Sequence, residues 1–340
     1  MKSAVCTLFA FVLLLATADA EGTSNSDTHV DSSWSEAANV PSRADLFLVL
    51  QEIRAKEAGT PLQSYAFRKK FVFPNQVLND PDRNNAPRTL GFYHFGIDIN
   101  YGTSPKLDFS SLHDQGVEFV YARATVGQRK FDKEFAGFWR GLKEIKSGAN
   151  GPVYRGAYHF LMPGPSGQVQ AENFIAYVKY TGGDSGILPD DLPPAVDLEW
   201  TTSDPTKDKW KGHDPDEIVD TALSFLKRVD AQWHRSAIVY TNAGWWSERT
   251  QGFPGKTGVI NRIQKAGFRL WISDYRPHDL GEEKPKTPAG MSWTLWQFSA
   301  SAQLDHGYPG SICHNTRECL DASVFEGTPD QFRSAFGLTH

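Results

Sequence analysis

Cysteine is scarce in this chain, with 3 Cys in 340 residues, which excludes the disulfide scaffold of a small secreted domain. Long basic runs are also missing: 35 Lys and Arg stand against 40 Asp and Glu, and the sequence pI is about 6.1. Without a Lys/Arg-rich run, nucleic acid is not expected as the main partner. The G-x-S-x-G, Walker A and H-E-x-x-H motifs are absent, which removes the readiest serine-hydrolase, nucleotide-binding and zincin interpretations.

A single long apolar run stands at the N-terminus. Lys2 precedes it, residues 4–16 form it, and Ala18-Asp19-Ala20 follow with the small-x-small pattern of a cleavage site. The run is shorter than the roughly 20 residues that a membrane-spanning helix needs. We therefore predict a signal peptide over residues 1–20, and a mature protein that is secreted, extracellular and not attached to a membrane.

Removal of this leader takes Cys6 with it and leaves Cys313 and Cys319. The two are separated by five residues, and in an oxidising secretory route we predict that they form a local disulfide. His314 lies beside Cys313, but no second ligand pair stands at zinc-finger spacing, so the sequence predicts no metal site.

Residues 21–90 differ in composition from the rest of the chain. Their first part is rich in Ser, Asp, Asn and Thr, which is typical of disorder. Ser42 could cap a helix over 43–58, and 74–90 is rich in Pro, Asn and Asp like a linker. Two interpretations stay open: a propeptide processed near Arg68-Lys69-Lys70, or an extension packed on the protein surface.

The remainder has the composition and patterning of a folded α/β protein, with 40% hydrophobic and 22% charged residues in the whole chain. Eight short runs rich in β-branched and aromatic residues predict strands at 92–99, 117–125, 153–161, 193–200, 236–242, 268–275, 292–299 and 319–325. Helical spacing is clearest at 131–146, 168–180 and 214–233. Eight apolar strands separated by helices predict a parallel, TIM-like (β/α) barrel of about 250 residues. The later connections look too short or too rich in Gly and Pro for full helices, so we expect an irregular barrel with fewer helices in its second half.

Acidic residues recur at the ends of these strands, at Asp98, Asp197, Glu199, Asp274 and Asp321. A carboxylate is costly inside a sheet but suits the C-terminal mouth of a barrel, where the active sites of this architecture lie. Asp197 and Glu199 are two residues apart, so both side chains point to one side of the strand. Two carboxylates held close push their pKa values apart and keep one protonated. Glycoside hydrolysis requires such a general acid beside a stabilising carboxylate.

Aromatic residues stand at or just beyond the same strand ends. This favours a carbohydrate ligand, because flat rings cover the faces of sugars at low entropic cost. The predicted substrate-binding set is Tyr101, Tyr158, Trp200, Tyr240, Tyr275 and Trp296, together with His159, Asp274 and Gln297. Core packing is the alternative for the aromatic members, and His159 could instead be a core histidine with satisfied hydrogen bonds.

Eight short motifs, in order along the chain, carry a resemblance to a known family. They are GIDIN (96–100), YARATVG (121–127), RGAYHF (155–160), PAVDLEW (194–200), IVYTN (238–242), LWISDY (270–275), LWQFS (295–299) and LDASVFEG (320–327). Over about 91–328 the chain resembles the glycoside hydrolase family 25 lysozymes, the Chalaropsis-type muramidases, whereas residues 21–90 have no counterpart in the family pattern. The resemblance implies a flattened β/α barrel over 91–340. It also implies cleavage of the β-1,4 bond between N-acetylmuramic acid and N-acetylglucosamine in bacterial peptidoglycan, with no metal or cofactor.

The same resemblance implies a role for each acid. Glu199 would protonate the leaving oxygen, and Asp197 would orient the 2-acetamido group of the substrate, which acts as the internal nucleophile of a retaining mechanism. Asp98 and Asp321 would support this pair electrostatically. We expect a monomer with peptidoglycan as its partner. The alternative is a non-catalytic peptidoglycan- or chitin-binding barrel, which loss of Glu199 or Asp197 would favour; both are present.

Two positions depart from the family pattern. Val126 stands where a Glu is usual, because the motif K-A-T-E-G becomes R-A-T-V-G at residues 123–127. Ile99-Asn100 replaces the usual Val-Ser after Asp98. The acid pair is untouched, so we expect these differences to affect substrate subsites and the pH optimum rather than hydrolysis itself.

The secreted protein is expected to begin at Glu21 and to contain no free thiol. Intact-mass measurement of the unreduced, denatured protein before and after alkylation checks both expectations. A start near residue 71 selects the propeptide interpretation. Alkylation of Cys313 or Cys319 contradicts the disulfide, and retention of residues 1–20 contradicts the signal peptide.

Overall fold

The computed structural model describes residues 35–36, 72–73, 93–103, 106–145, 152–202, 204–275, 285–308 and 320–339. The predicted signal peptide, the predicted helix at 43–58 and the linker at 74–90 lie outside the described residues. Cys313 and Cys319 lie outside them as well, so the disulfide stays a prediction.

The eight predicted strands are confirmed, and they close into a barrel. They are β1 Tyr93–Ile99, β2 Phe119–Val126, β3 Tyr154–Phe160, β4 Ala195–Leu198, β5 Ile238–Asn242, β6 Arg269–Ser273, β7 Leu295–Leu304 and β8 Leu320–Glu326. Each strand pairs with the next one along the chain, and β8 returns to pair with β1. The chain order of the strands is therefore also their order around the barrel.

Strand β8 differs from the expectation of a fully parallel sheet. β1 to β7 are parallel to their neighbours, whereas β8 is antiparallel to both β7 and β1. An antiparallel strand can start at the end of the barrel where its predecessor finishes, so the chain needs no crossover helix there. As a result β8 begins at the same end of the barrel at which β1 to β7 finish.

The helices of the described residues cover the outer face of the barrel, except the last one, which lies at one end of it. They are α1 Ser110–Asp114, α2 Phe135–Glu144, α3 Gly167–Gly182, α4 Pro215–Trp233, α5 Ala243–Thr250, α6 Asn261–Lys265 and α7 Pro329–Phe336. The three helices predicted between the strands correspond to α2, α3 and α4. In the second half, α5 and α6 have only 8 and 5 residues, as expected for an irregular barrel. None of the helices in the described part of the chain is long and apolar enough to cross a membrane.

Two local signals explain where the helices begin. Asp214 accepts a hydrogen bond from the Asp216 amide and Pro215 occupies the first position, so α4 starts with a side-chain cap and a preset φ angle.

The predicted helix over 131–146 begins later, at Phe135. Phe131 belongs instead to a two-residue strand, Lys130–Phe131, which turns back antiparallel to β2.

Two hydrophobic cores follow from the alternation of side chains along the strands. One lies between the outer face of the sheet and the helices, and the other fills the barrel with rings such as Phe119, Tyr121 and Trp271. A Cβ at Gly96 would overlap the Phe119 ring, and a Cβ at Gly156 would overlap Tyr121. Glycine at these two inward positions therefore leaves the space that the rings occupy.

Helix α7 closes one end of the barrel. Its Phe332 ring lies 4.8 Å from His94, 5.8 Å from Phe119 and 5.6 Å from Tyr154, measured between ring centroids. These three residues stand at or near the starts of β1, β2 and β3. The helix therefore fills the N-terminal end of the parallel strands, and the acids lie at the opposite end.

The N-terminal extension contacts the barrel through two short strands. Ser35–Glu36 pairs in parallel with Lys130–Phe131, and Val72–Phe73 pairs in parallel with Gln303–Leu304 near the end of β7. These backbone pairings fit a packed extension. Processing as a propeptide stays a prediction.

Truncation of Phe332 to Ala is expected to cost about 3–5 kcal/mol of unfolding free energy, because it empties the plug of the barrel. Urea unfolding followed by circular dichroism measures this cost. Val169, which is 40% exposed on α3, offers a matched control. Val169→Ala should change stability by no more than about 0.5 kcal/mol. Equal effects of the two substitutions would contradict a plug at α7.

Candidate active site

Four carboxylates lie at the end of the barrel opposite α7. Asp98 lies at the end of β1 and Asp321 at the beginning of β8, where the two residues face each other in the antiparallel register. Asp197 lies near the end of β4, and Glu199 follows that strand directly. All four are buried, with exposures of 3% for Asp98, 9% for Asp321, 1% for Asp197 and 4% for Glu199. The structure therefore places the four predicted catalytic acids at one end of the barrel, all of them buried.

A buried amide fixes the orientation of Asp98. The Gln297 Nε2 donates a hydrogen bond of 2.6 Å to Asp98 Oδ2, and its Oε1 accepts one of 2.9 Å from the Tyr240 hydroxyl. The Tyr275 hydroxyl also donates to Gln297 Oε1. Because a carboxylate only accepts hydrogen bonds, the Gln297 nitrogen faces Asp98, and the oxygen is left to accept from the two phenols. Gln297 therefore acts on Asp98 from inside the barrel, as a fully buried side chain.

The strand register determines what surrounds the D-x-E pair. Asp197 lies between Phe160 of β3 and Tyr240 of β5 in the sheet. Its main-chain carbonyl accepts a hydrogen bond of 2.9 Å from the Leu161 amide. Alternation then places Leu198 on the opposite face, in the outer core. Neighbouring strands thus hold the backbone of the pair on both sides.

A buried ion pair, which no sequence motif had predicted, holds Tyr101 at the rim of the barrel. The Arg123 Nε donates to Asp132 Oδ2 at 2.8 Å, and the Tyr101 amide donates to the same oxygen at 2.9 Å. The Arg123 guanidinium also lies 4.9 Å from the centre of the Tyr101 ring. Burial is the largest single effect and lowers the pKa of Arg123, but the charge and hydrogen bond of Asp132, together with Tyr158 and Tyr101, raise that pKa above its ordinary value. An arginine inside an apolar strand was the sequence signal for such a pair.

The predicted sugar-binding aromatics divide into three groups. Tyr101 and Tyr275 are half-buried near the ends of β1 and β6, beside the acids. Tyr158 and Tyr240 belong to the packed interior of the barrel. Trp200 and Trp296 lie in the outer core.

Both outer tryptophans make hydrogen bonds away from the barrel interior. The Trp200 Nε1 donates to Glu248 of α5 at 3.0 Å, and the Trp296 Nε1 donates to the Asp274 main-chain oxygen at 2.9 Å. Each stands one residue from an inward-facing side chain, which explains the outward direction. For these two residues the structure favours the packing alternative.

Asp274 forms hydrogen bonds with main-chain groups at the rim of the barrel. Its Oδ2 accepts a hydrogen bond of 2.6 Å from the Lys286 amide, and its own amide donates to the Gln297 carbonyl at 3.1 Å. The carboxylate therefore ties the segment before β7 to the end of β6.

His159 is a core histidine rather than a residue of the mouth. It is fully buried, its Nδ1 lies 2.7 Å from the Thr125 hydroxyl, and its Nε2 lies 3.2 Å from Gln170 Oε1. Its ring stacks on Phe225 at 4.8 Å between centroids. The Met162 amide also donates to Gln170 Oε1, so that oxygen is an acceptor and His159 carries its proton on Nε2. For His159 this environment favours the alternative of a core histidine with satisfied hydrogen bonds.

Val126, the position that departs from the family pattern, lies in a small apolar cluster. It is buried with Phe160, and Met162 packs against both. A carboxylate at this position would lose water without gaining a partner from these side chains.

Among the described residues, no group of three or more His, Cys, Asp or Glu is arranged to hold a metal ion.

The family model of the glycosyl hydrolases family 25 matches residues 97–306, which is more than half of the chain. The chain belongs to glycosyl hydrolases family 25. Asp98, Asp197 and Glu199 lie inside the matched residues, whereas Asp321 lies beyond them. In this family 25 chain, Asp321 reaches the site through the antiparallel register with Asp98.

Named relatives and a solved structure are similar to this family 25 chain. The N,O-diacetylmuramidase of Chalaropsis sp is 34% identical over 157 residues, which are 46% of this chain and 69% of that protein. Lysozyme M1 of Streptomyces globisporus is 28% identical over 222 residues, 65% of this chain and 66% of that protein, just under two thirds. The structure of the muramidase from Acremonium alcalophilum has a TM-score of 0.52 at 25% identity and covers 72% of this chain and 98% of that chain.

The burial of His159 predicts a pH-dependent stability. Desolvation lowers its pKa from 6.5 to about 3, so below pH 6.5 the unfolded chain takes up a proton that the folded chain does not. The neutral, buried His159 therefore makes its full contribution to the free energy of unfolding above pH 6.5. This contribution falls by roughly 2 kcal/mol between pH 6.5 and 5. Urea unfolding at these two pH values should show this loss in the wild type and a smaller loss in His159→Gln.

The matched control is His306→Gln, since His306 is exposed and only its backbone atoms take part in the hydrogen bonds to Gln115. Its variant should keep the pH dependence of the wild type. The same pH dependence in His159→Gln as in the wild type would contradict a neutral, buried imidazole.

Proposed function

We propose that this protein is a secreted lysozyme that hydrolyses the β-1,4 bond between N-acetylmuramic acid and N-acetylglucosamine in bacterial peptidoglycan. Membership of glycosyl hydrolases family 25 supports a glycosidase. Relatives named lysozyme and N,O-diacetylmuramidase support the choice of substrate. The observation that carries the proposal is the buried D-x-E pair, Asp197 and Glu199, at the open end of the barrel.

The chemistry follows from two acids on one strand. Glu199, as general acid, transfers its proton to the glycosidic oxygen while the bond from that oxygen to the anomeric carbon breaks. The carbonyl oxygen of the 2-acetamido group attacks the same carbon and forms a cyclic intermediate, which Asp197 orients and stabilises. The Glu199 carboxylate then removes a proton from the water that opens this intermediate, so the configuration is retained.

Asp98 and Asp321 have supporting roles in this proposal. Their negative charges stabilise the positive charge that develops on the sugar ring in the transition state. Gln297 holds the Asp98 carboxylate in position through the 2.6 Å hydrogen bond. Tyr101 and Tyr275, half-buried at the rim, are the aromatic side chains that we propose for contact with the glycan.

Binding to the wall must come from the site at the end of the barrel. The formal net charge is −5, and the signal peptide carries one Lys and one Asp, so its removal leaves the charge unchanged. A negatively charged protein gains no general electrostatic attraction to an anionic wall.

Replacement of Glu199 by Gln is expected to lower kcat by about 10²–10⁴-fold, because the variant keeps the shape but has no proton to transfer. The measurement is the initial rate at which reducing ends are released from soluble peptidoglycan strands. Glu172→Gln is the control, because Glu172 is an exposed residue of α3 that pairs with Arg228 of α4. This variant should keep the wild-type rate. Wild-type activity in Glu199→Gln would contradict the mechanism.

The new reducing ends identify the bond that is cut. After borohydride reduction of the products, muramic acid at the ends supports a muramidase and glucosamine ends reject it. Binding of peptidoglycan without any release of ends selects the alternative, a non-catalytic binding barrel.

A further inference from the structure

The segment that follows Glu199 is held by a buried carboxylate outside the acid cluster. Asp208 Oδ1 accepts hydrogen bonds from the Thr201 amide at 3.0 Å and from the Thr201 hydroxyl at 2.9 Å. The Thr201 hydroxyl accepts in turn from the Lys209 amide at 2.8 Å. Both ends of this loop are therefore fastened to each other two residues after Glu199.

Further donors fix the Asp208 carboxylate itself. Its Oδ1 also accepts from the Trp210 amide at 3.3 Å, and its Oδ2 accepts from the Trp245 indole at 3.1 Å. Arg249 Nη1 lies 3.2 Å from the same Oδ2, and the Asp208 side chain has no exposed surface. A buried carboxylate with this many donors has one available orientation.

A second clamp acts on the residue between Glu199 and Thr201. The Trp200 indole donates to Glu248 Oε2 at 3.0 Å, and Arg249 Nη2 lies 3.2 Å from that same oxygen. Arg249 therefore bridges Asp208 and Glu248, and helix α5 carries both Glu248 and Arg249.

Strand β4 holds the chain on the other side of Glu199. The Thr241 hydroxyl of β5 donates to the Leu198 carbonyl at 2.8 Å. The residues directly before and after Glu199 are thus each tied by a side chain to a neighbouring element. A proton donor must be held to within about half an ångström of its productive position.

We infer that Asp208 and Glu248, bridged by Arg249, are positioning residues for Glu199. They touch the backbone and side chains that follow Glu199, and they act on the reaction through it. The inference rests on the proposed function, because it assigns to Glu199 the proton transfer that requires this placement.

Asp208→Asn is expected to lower kcat about 10- to 100-fold with KM within about twofold of the wild type, since a displacement of the acid affects the transition state and not the bound substrate. The near-isosteric amide presents a donor where Trp245 and Arg249 need an acceptor. The alkaline limb of the pH profile of kcat/KM, which reports the general acid, should shift as well. Kinetics on soluble peptidoglycan strands measure all three.

Asp191 provides the matched control. It is buried and paired with an arginine, with Arg155 Nε at 2.7 Å and Nη2 at 3.2 Å, but it precedes β4 instead of following it. Asp191→Asn should lower the melting temperature and leave kcat and the pH profile as in the wild type. Equal changes of kcat in Asp208→Asn and Asp191→Asn would overturn the inference.

Glu248 is partly exposed, so its variants test the second clamp with little effect on folding. Glu248→Ala should lower kcat several-fold, and Glu248→Gln should recover most of the loss, because its amide oxygen still accepts from Trp200. A wild-type kcat in Glu248→Ala, or no recovery in Glu248→Gln, counts against the clamp.

Hydrogen–deuterium exchange separates this inference from the proposed function. Residues 199–202 should lose protection in Asp208→Asn and keep it in Asp191→Asn, whatever the substrate. An inactive wild-type protein would reject the proposed function, and the exchange result would still decide whether Asp208 holds the segment. Unchanged protection of residues 199–202 in Asp208→Asn would refute the inference that Asp208 holds this segment.

Discussion

Closure of the eight-stranded sheet is the constraint on which the rest of the structure depends. β8 runs back between β7 and β1, so one antiparallel strand completes a barrel of otherwise parallel strands. Closure gives every strand an inner and an outer face. Aromatic rings fill the inside, helices cover the outside, and α7 occupies the N-terminal end of β1 to β7. The end that remains carries the carboxylates.

Burial of so many charges at one end requires partners, since an unpaired charge inside a protein is costly. The structure meets this requirement in two ways. Neutral donors hold Asp98 through the amide of Gln297 and the phenols behind it. Arginines hold Asp132 and Asp208, each also bound by backbone amides. Among the carboxylates of the proposed reaction, Asp98 is thus held by a side chain whose own orientation is determined.

The alternation that turns Asp197 and Glu199 inward also turns Trp200 outward. Its indole then meets Glu248 of α5, and the residue expected to contact a sugar becomes an anchor for the segment that carries the acid. Trp296 is similar, since it bonds to the Asp274 backbone while its neighbour Gln297 points to Asp98. In the pairs Glu199/Trp200 and Gln297/Trp296, the first residue points into the barrel. The tryptophan points outward and binds the neighbouring chain segment.

Much of the fold and half of the site could be predicted from the sequence. The apolar runs determined all eight strands, and the spacing of Asp197 and Glu199 determined that they share a face, because both depend on local periodicity. Only the tertiary structure decided that β8 is antiparallel, which brings Asp321, near the start of its strand, opposite Asp98. It also decided that His159 packs among the residues of the outer core, and that Asp132 and Asp208 are buried beside Arg123 and Arg249. These outcomes depend on contacts between residues distant in the chain. Local periodicity shows which residues share a face of a strand, but it does not show which face lies inside the closed barrel.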